Sequence, residues 1–319
     1  MATENLIRAG SDCLPFHPHE GEKWLNDNFQ KVPQYLFRVS FHRKSDGETT
    51  KIWAKSKDAK ESNTGQETNI LDGDRTDMAD MLWRHLQWRS GSPSNLLSWT
   101  SSLLFALQYM FYRHHRDRVA LEDITLFIID TAQFPKEAFA RDMDLISIFS
   151  KFDSRLRNLQ ELRTRNTSNC SECYYFGEYF SQGALKIEGK CGSATAREII
   201  DNGLFYLRAE FIDSLNDEKK WAKRVLELRQ CFIEVKVGDE TQDELELQVA
   251  VAFGIGSLFG SSWAPPIAAS LLGLRPRSAR DVDIICKASM TFAAGRIKPP
   301  ASITHRNDFI RMEWPLLRV

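Results

Sequence analysis

Glu178 stands in the run Tyr174-Tyr-Phe-Gly-Glu-Tyr-Phe-Ser-Gln-Gly-Ala-Leu185, among aromatic and apolar neighbours. An ionised carboxylate in such company costs on the order of several kcal/mol of desolvation, so it persists there paired, protonated, or tuned as an acid or base. A second concentration of chemistry is Ser98-Trp-Thr-Ser-Ser102. Capping of a following helix accounts for Ser101 or Ser102 but not for all these hydroxyls, and a strand-to-helix turn is where a nucleophile, or backbone N–H groups that hold an anion, are displayed. Asp142 and Asp144 open a helix, where they either complement its dipole or form the anionic floor of a cation pocket. Arg38, flanked by Leu36-Phe37 and Val39, reads as the one cation of a buried strand, held for a carboxylate or phosphate or by an internal salt bridge.

The elements that must position these groups follow from spacing. Strands are expected at 35–39, just before the hydroxyl cluster, and at 124–131, an apolar run ended by Asp130. Helical spacing runs from 78 to 88 and sets His85 beside a packed face in a structural role. Further helices are expected from Ser101 or Ser102 to Tyr112, from Asp142 through Phe149 and Phe152, and as a basic helix with a polar loop over 153–169. They recur over 196–207 with a stop near Gly203, and over 219–230, 244–259 and 268–274. Residues 44–74 read as a polar loop and 1–32 as an N-terminal arm. Strands and helices alternate early and helices dominate late, which predicts an α+β fold. It would be a single compact domain over 33–290, with a small central sheet, a helical C-terminal half and a tail over 291–319.

Composition narrows the partners. The chain has 42 basic and 43 acidic residues, a formal net charge of -1, so nucleic acid must be met by a local patch. Four patches present themselves: Arg113 to Arg118, the series Arg155, Arg157, Arg163 and Arg165, Lys219 to Arg224, and Arg275 to Arg280. No basic segment followed by an apolar one opens the sequence, and the expected location is cytoplasmic. Six cysteines fit reduced thiols. Cys170 and Cys173 form one C-x-x-C, with Cys191 beyond, but no second C-x-x-C completes a zinc set, and no metal is expected. From Leu247 to Leu274 there is no charged side chain, yet glycines and Pro265-Pro266 break the run, so two buried helices around a proline turn are expected and no membrane span.

The phrases Trp99-Thr-Ser-Ser-Leu-Leu-Phe-Ala-Leu-Gln-Tyr109 and Tyr174 to Leu185, with Asp142 to Ile146 between them, together resemble the arginine-containing cyclodipeptide synthases of filamentous fungi over about residues 33–290. The resemblance implies condensation of two aminoacyl-tRNAs, one carrying arginine, into a diketopiperazine for secondary metabolism, without a cofactor and without DNA as a partner. Tyr174 and Glu178 are similar to the Tyr-x-x-x-Glu pair of the bacterial cyclodipeptide synthases, whose Gly-x-Ser is absent here. If the chemistry is covalent, Ser98 is the first candidate nucleophile and Ser101 or Ser102 the next, while Asp142 and Asp144 are the candidates for the arginine pocket. A second resemblance is to ADP-ribosyltransferases of the Arg, Ser-Thr-Ser, Glu type, through the order Arg38, Ser98 cluster, Glu178. It implies an Arg38 that holds NAD phosphate, a serine cluster that orders the pocket and a Glu178 that stabilises an oxocarbenium ion, on a shared fold. Trp99 interrupts that serine motif, and Phe176 stands where arginine-modifying members carry Glu or Gln. A non-catalytic binding module is the third reading, and it predicts no change on mutating Glu178.

Overall fold

Residues 12–41, 47–61, 69–88, 94–164, 174–215, 221–234 and 240–293 are described by a computed structural model, and every statement below concerns them. A short helix α1 (Leu25–Phe29) precedes β1 (Tyr35–Phe41), the pair β2 (Glu48–Thr49) and β3 (Trp53–Lys55), α2 (Lys57–Glu61) and α3 (Arg75–Leu86). Strand β4 (Leu96–Thr100) runs into α4 (Leu103–Asp117). After β5 (Ile124–Asp130) come β6 (Ala140–Arg141), α5 (Asp142–Phe149), α6 (Ser154–Thr164), β7 (Glu178–Gln182), β8 (Ala184–Lys186) and β9 (Cys191–Thr195). The remainder is helical: α7 (Ala196–Asp201), α8 (Leu204–Leu207), α9 (Trp221–Glu234), α10 (Gln242–Ser257), α11 (Ala264–Leu272) and α12 (Ala279–Ala293). The α+β class, the central sheet and the helical C-terminal half are those expected. The chain divides into two units, one of Met1–Leu107 with Leu126–Gly192 and the other of Gln108–Thr125 with Ser193–Val319.

The six-stranded sheet has the order β6-β7-β4-β1-β5-β9, and a smaller one has the order β2-β3-β8. Strands β4 and β7 pair antiparallel along their whole length, from Leu96 opposite Gln182 to Thr100 opposite Glu178. Alternation along a strand sends successive side chains to opposite faces. Leu96 and Phe180 therefore join Leu82, Leu86, Leu145 and Phe149 of α3 and α5 in one apolar cluster, while Leu97, Trp99 and Tyr179 join Leu36, Phe127 and Ile129 in another. Burying Phe180 or Trp99 contributes roughly 2–3 kcal/mol each. Helix α3 starts where Asp74 accepts hydrogen bonds from the N–H groups of Thr76 and Asp77, which satisfies donors the helix itself leaves open.

Two segments differ from expectation. Residues 12–32 are no loose arm: Phe16, Leu25 and Phe29 are buried in the α3–α5 cluster, and Leu14 bridges to Gln182. Scattered apolar residues without a period still bury surface when a sheet edge is there to receive them. The polar segment after Lys44 carries β2, β3 and α2, with Trp53, Ala54 and Lys55 paired to β8, so its regular structure comes from a partner distant in sequence.

In the second unit α10 packs against α11 and α12. Gly256 lets α10 approach closely, since a Cβ there would stand 2.6 Å from the carbonyl oxygen of Ala264. Pro265 and Pro266 occupy the first turn of α11, where no intrahelical N–H is needed. The charge-free run is thus two buried helices around a proline turn, as expected, and among the described residues no helix is long and apolar enough to cross a membrane. Capping boxes start α7 (Thr195 with Glu198) and α10 (Thr241 with Glu244). The fully buried Arg208 donates to the carbonyls of Leu271 and Leu272 at the end of α11, where a cation opposes the helix dipole.

Candidate active site on the α3–α5 face of the sheet

Each hydroxyl of the Ser98–Ser102 turn has its own partner. Ser102 Oγ accepts from the N–H of Phe105, so it is the cap of α4. Thr100 Oγ1 donates to the carbonyl of Phe176 at 2.8 Å, and the N–H of Ser101 donates to the carbonyl of Gly177 at 2.8 Å. The end of β4 therefore clamps the segment that leads into β7 and fixes Glu178 opposite Thr100. Gly177 has φ +67°, and a Cβ on it would lie 2.2 Å from Ser101 Oγ, so a side chain here strains the backbone and displaces that hydroxyl. Tyr174, half-buried, precedes the strand, and the positive φ at Gly177 interrupts the regular alternation between it and Glu178. Tyr175 is in electrostatic contact with the neighbouring charges: burial pushes its phenol well above its usual range, with Tyr179, Arg141, Arg163 and Asp144 around it.

Glu178 is paired with Arg163 of α6, Nη2 to Oε2 at 3.1 Å, and the same guanidinium is in contact with Asp142 of α5. The side chain of Asp142 has no exposed surface, and those of Arg163 and Glu178 are 11% and 14% exposed. Two carboxylates against one guanidinium give a formal charge of -2 + 1 = -1 when both are ionised, and Glu178 Oε1 is buried without a hydrogen-bond partner among the described residues. A planar guanidinium is the cation that such a carboxylate pair fits. Asp144 turns elsewhere: it accepts from Arg141 at 2.7 Å and from Asn28 at 3.2 Å. Residues two apart on a helix do not share a face, so Asp142 and Asp144, expected to line one pocket, serve two different arginines.

On the same sheet face as Glu178, and diagonal to it across the β4–β7 register, is Ser98. Its Oγ lies 2.9 Å from Nε2 of His85, whose Nδ1 lies 2.7 Å from Oγ of Ser94. The imidazole stands edge-on to Phe180 at 5.3 Å. Burial, and secondarily the charge of Arg38, pushes its pKa down to about 3, so the ring is neutral at physiological pH. The packed face inferred for His85 is there, but so are two serine hydroxyls that the helical period alone does not reveal. The register cue was available: His85 lies three residues beyond Leu82, on the buried side of α3.

Arg38 stands where β1 parts from β4, whose register with it is Phe37 opposite Thr100. Its guanidinium donates to the carbonyl of Ser98 at 2.7 Å and to Thr49 Oγ1 at 2.9 Å, and lies over the Trp99 ring, which belongs to the opposite face from Glu178. The sheet brings Arg38 to the Ser98 main chain, and Glu178 to Arg163 and Asp142. The pairing of Glu178 with Arg163 was missed in the sequence, where Arg163 read as one cation of a basic patch. Its position seven residues after Leu156, the buried residue of α6, was the available signal, since seven residues are close to two helical turns.

Arginines of all four basic patches are engaged within the fold: Arg113 with Asp117, Arg155 with Asp80 and Asp153, Arg163 as above, Arg224 with Glu227, and Arg277 with Glu240. Cys170 and Cys173 lie outside the described residues, as does Arg165, and Cys191 is a free thiol on β9. Among the described residues no group of His, Cys, Asp and Glu is arranged to hold a metal ion. No curated protein and no solved structure matches the chain. Residues 31–178, a span that starts just ahead of β1 and ends on Glu178, match the family model described as a domain of unknown function, DUF7587.

Proposed function

We propose that this chain is an aminoacyl transferase of the cyclodipeptide synthase kind, which condenses arginyl-tRNA with a second aminoacyl-tRNA into an arginine-containing diketopiperazine. The observation that carries the reading is the clamp of Asp142 and Glu178 on the guanidinium of Arg163, two carboxylates to one cation, with Glu178 Oε1 buried and without a hydrogen-bond partner among the described residues. A site that already binds one guanidinium between two carboxylates is suited to recognise the side chain of an arginyl substrate. In this reading the Asp142–Glu178 pair reads the substrate guanidinium once Arg163 is displaced from it, Glu178 also manages the proton of the attacking amine, and Ser98, on the same face, accepts the first aminoacyl group. The substrates are charged tRNAs of the cytoplasm, and the chemistry draws on the ester bond each one brings, without a cofactor.

The test is to express the chain in a bacterial host and search the medium by mass spectrometry for arginine-containing diketopiperazines. Purified protein supplied with charged tRNAs should give the same product, in an RNase-sensitive reaction lost in Glu178→Gln and Asp142→Asn. Absence of product in both settings from a folded protein removes the reading.

A second reading, NAD-dependent ADP-ribosyl transfer, is favoured by one observation: Arg38, Ser98 and Glu178 stand on the neighbouring strands β1, β4 and β7. The engagement of Arg38 with the Ser98 carbonyl, Thr49 and Trp99 weighs against a phosphate-holding role for it. NAD hydrolysis that stops with Glu178→Gln, alongside no diketopiperazine, would select this reading. Neither activity, with binding of a ligand unchanged in Glu178→Gln, would select the non-catalytic module.

A further inference from the structure

We infer that His85 is the general base of Ser98, and that Ser94 orients it, so that Ser98 is a reactive serine towards acyl esters. The inference deepens the transferase reading, because an aminoacyl-tRNA is such an ester, but its chemistry depends on neither arginine nor tRNA. A serine hydroxyl is a poor nucleophile alone, and the arrangement that activates it is a neutral imidazole nitrogen within hydrogen-bond reach, with the other nitrogen held by a third group. Those distances are 2.9 Å from Ser98 Oγ to Nε2 and 2.7 Å from Ser94 Oγ to Nδ1. Ser94 is held in turn: its N–H donates to Asp58 at 3.0 Å, its Oγ accepts from the N–H of Leu96 at 3.2 Å, and Met81 Sδ lies 3.7 Å from that Oγ. With its own hydrogen towards Met81, Ser94 Oγ keeps a lone pair for an Nδ1–H. Nε2 then presents its lone pair to the Ser98 hydroxyl. Ser98 and His85 are each half-buried as whole residues, and the labelling rate reports whether the hydroxyl itself is reached.

The step balances without a further reactant. Ser98 Oγ bonds to the acyl carbon while its proton passes to His85 Nε2, where burial and the charge of Arg38 disfavour it, so the ring holds it only until the leaving group takes it. The ester C–O bond then breaks and the departing alkoxide takes that proton from Nε2, which leaves acyl-Ser98, a free alcohol and a neutral ring. Arg38, bonded to the Ser98 carbonyl, fixes the strand position of the nucleophile.

The experiment is to label the full chain with a fluorophosphonate probe, locate the adduct by peptide mass mapping and measure its rate of formation. We expect a single adduct on Ser98, absent in Ser98→Ala, with a rate lowered about a hundredfold or more in His85→Gln and by a smaller factor in Ser94→Ala. Ser270→Ala, whose hydroxyl bonds within its own helix, should label like the wild type. No adduct on Ser98 in folded wild-type protein overturns the inference, as does labelling indifferent to His85→Gln. Should His85→Gln fail to fold, nitrogen-15 shifts of the wild-type ring decide: Nε2 unprotonated upholds the assignment, and Nδ1 unprotonated overturns it. Labelling without diketopiperazine formation would leave the base pair standing while removing the synthase reading, and diketopiperazine formation without labelling would do the reverse.

Discussion

Nη2 of Arg163 lies 3.1 Å from Oε2 of Glu178, so the carboxylate set among aromatics is balanced by a cation from α6, fifteen positions earlier in the chain. The same guanidinium also holds the fully buried Asp142, and removing it leaves two carboxylates in a low-dielectric setting. Arg163→Met should therefore destabilise the fold by about 3–5 kcal/mol, the range for breaking a buried pair from one side. Arg163→Lys, which keeps the charge but loses the planar fork, should cost less. Urea unfolding followed by tryptophan fluorescence measures both, and a loss below about 1 kcal/mol for Arg163→Met would show the clamp to be solvated rather than buried.

His85 sets a pH dependence. The folded ring stays neutral down to about pH 3 because burial, then the charge of Arg38, disfavours its protonation. An unfolded histidine protonates near 6.5. Between these values the unfolded chain binds the extra proton, so this contribution to stability is intact above about pH 6.5 and is lost as pH falls through and below it. The slope approaches about 1.4 kcal/mol per pH unit for one proton. The difference in urea-unfolding free energy between wild type and His85→Gln should shrink between pH 7 and pH 5. A difference independent of pH would mean that the ring charges freely in the fold.

Gly177 and Gly189 share a left-handed backbone, φ +67° and +71°, but differ in their surroundings. A Cβ at 189 meets nothing within 4 Å, whereas at 177 it meets Ser101 Oγ at 2.2 Å. Gly189→Ala should lose only the conformational preference, about 1–2 kcal/mol. Gly177→Ala should lose more, and Ser101→Gly in the same chain should recover the excess. Thermal melts of the single and double variants check this, and equal losses at the two positions would mean that the β4 clamp yields without cost.

Strand β4, its turn and α4 could be read from the sequence because each signal there is local: an apolar run, a capping hydroxyl, then helical spacing. Glu178 could be singled out because desolvation makes a carboxylate among aromatics conspicuous wherever it pairs. What paired with it could not be read, since Arg163, Asp142 and Glu178 come from α6, α5 and β7 and meet only once the sheet has set their places. The count of four from Tyr174 to Glu178 carries no sign of the positive φ at Gly177 between them, which a period-two or helical count passes over. Phe16 and Leu25, buried from a segment without a pattern, lacked even that cue.

Asp142 and Asp144 looked equivalent in the sequence and are not in the fold, which gives the sharpest test of the arginine site. Asp144 is tied to Arg141 and Asn28 at the edge marked by β6, while Asp142 faces Arg163 and, through it, Glu178. If the guanidinium of an arginyl substrate is read by the Asp142–Glu178 pair, Asp142→Asn should lower kcat/KM for arginyl-tRNA by tenfold or more, on the order of 1.4 kcal/mol in the transition state, and do so far more than for the second aminoacyl-tRNA. Asp144→Asn should lower stability through the loss of a charge-assisted bond to Arg141, with the ratio of the two kcat/KM values kept. Competition assays with both charged tRNAs in one reaction measure that ratio directly. A ratio shifted by Asp144→Asn and untouched by Asp142→Asn would place arginine recognition at the Arg141 edge and leave the Arg163 clamp a purely structural one.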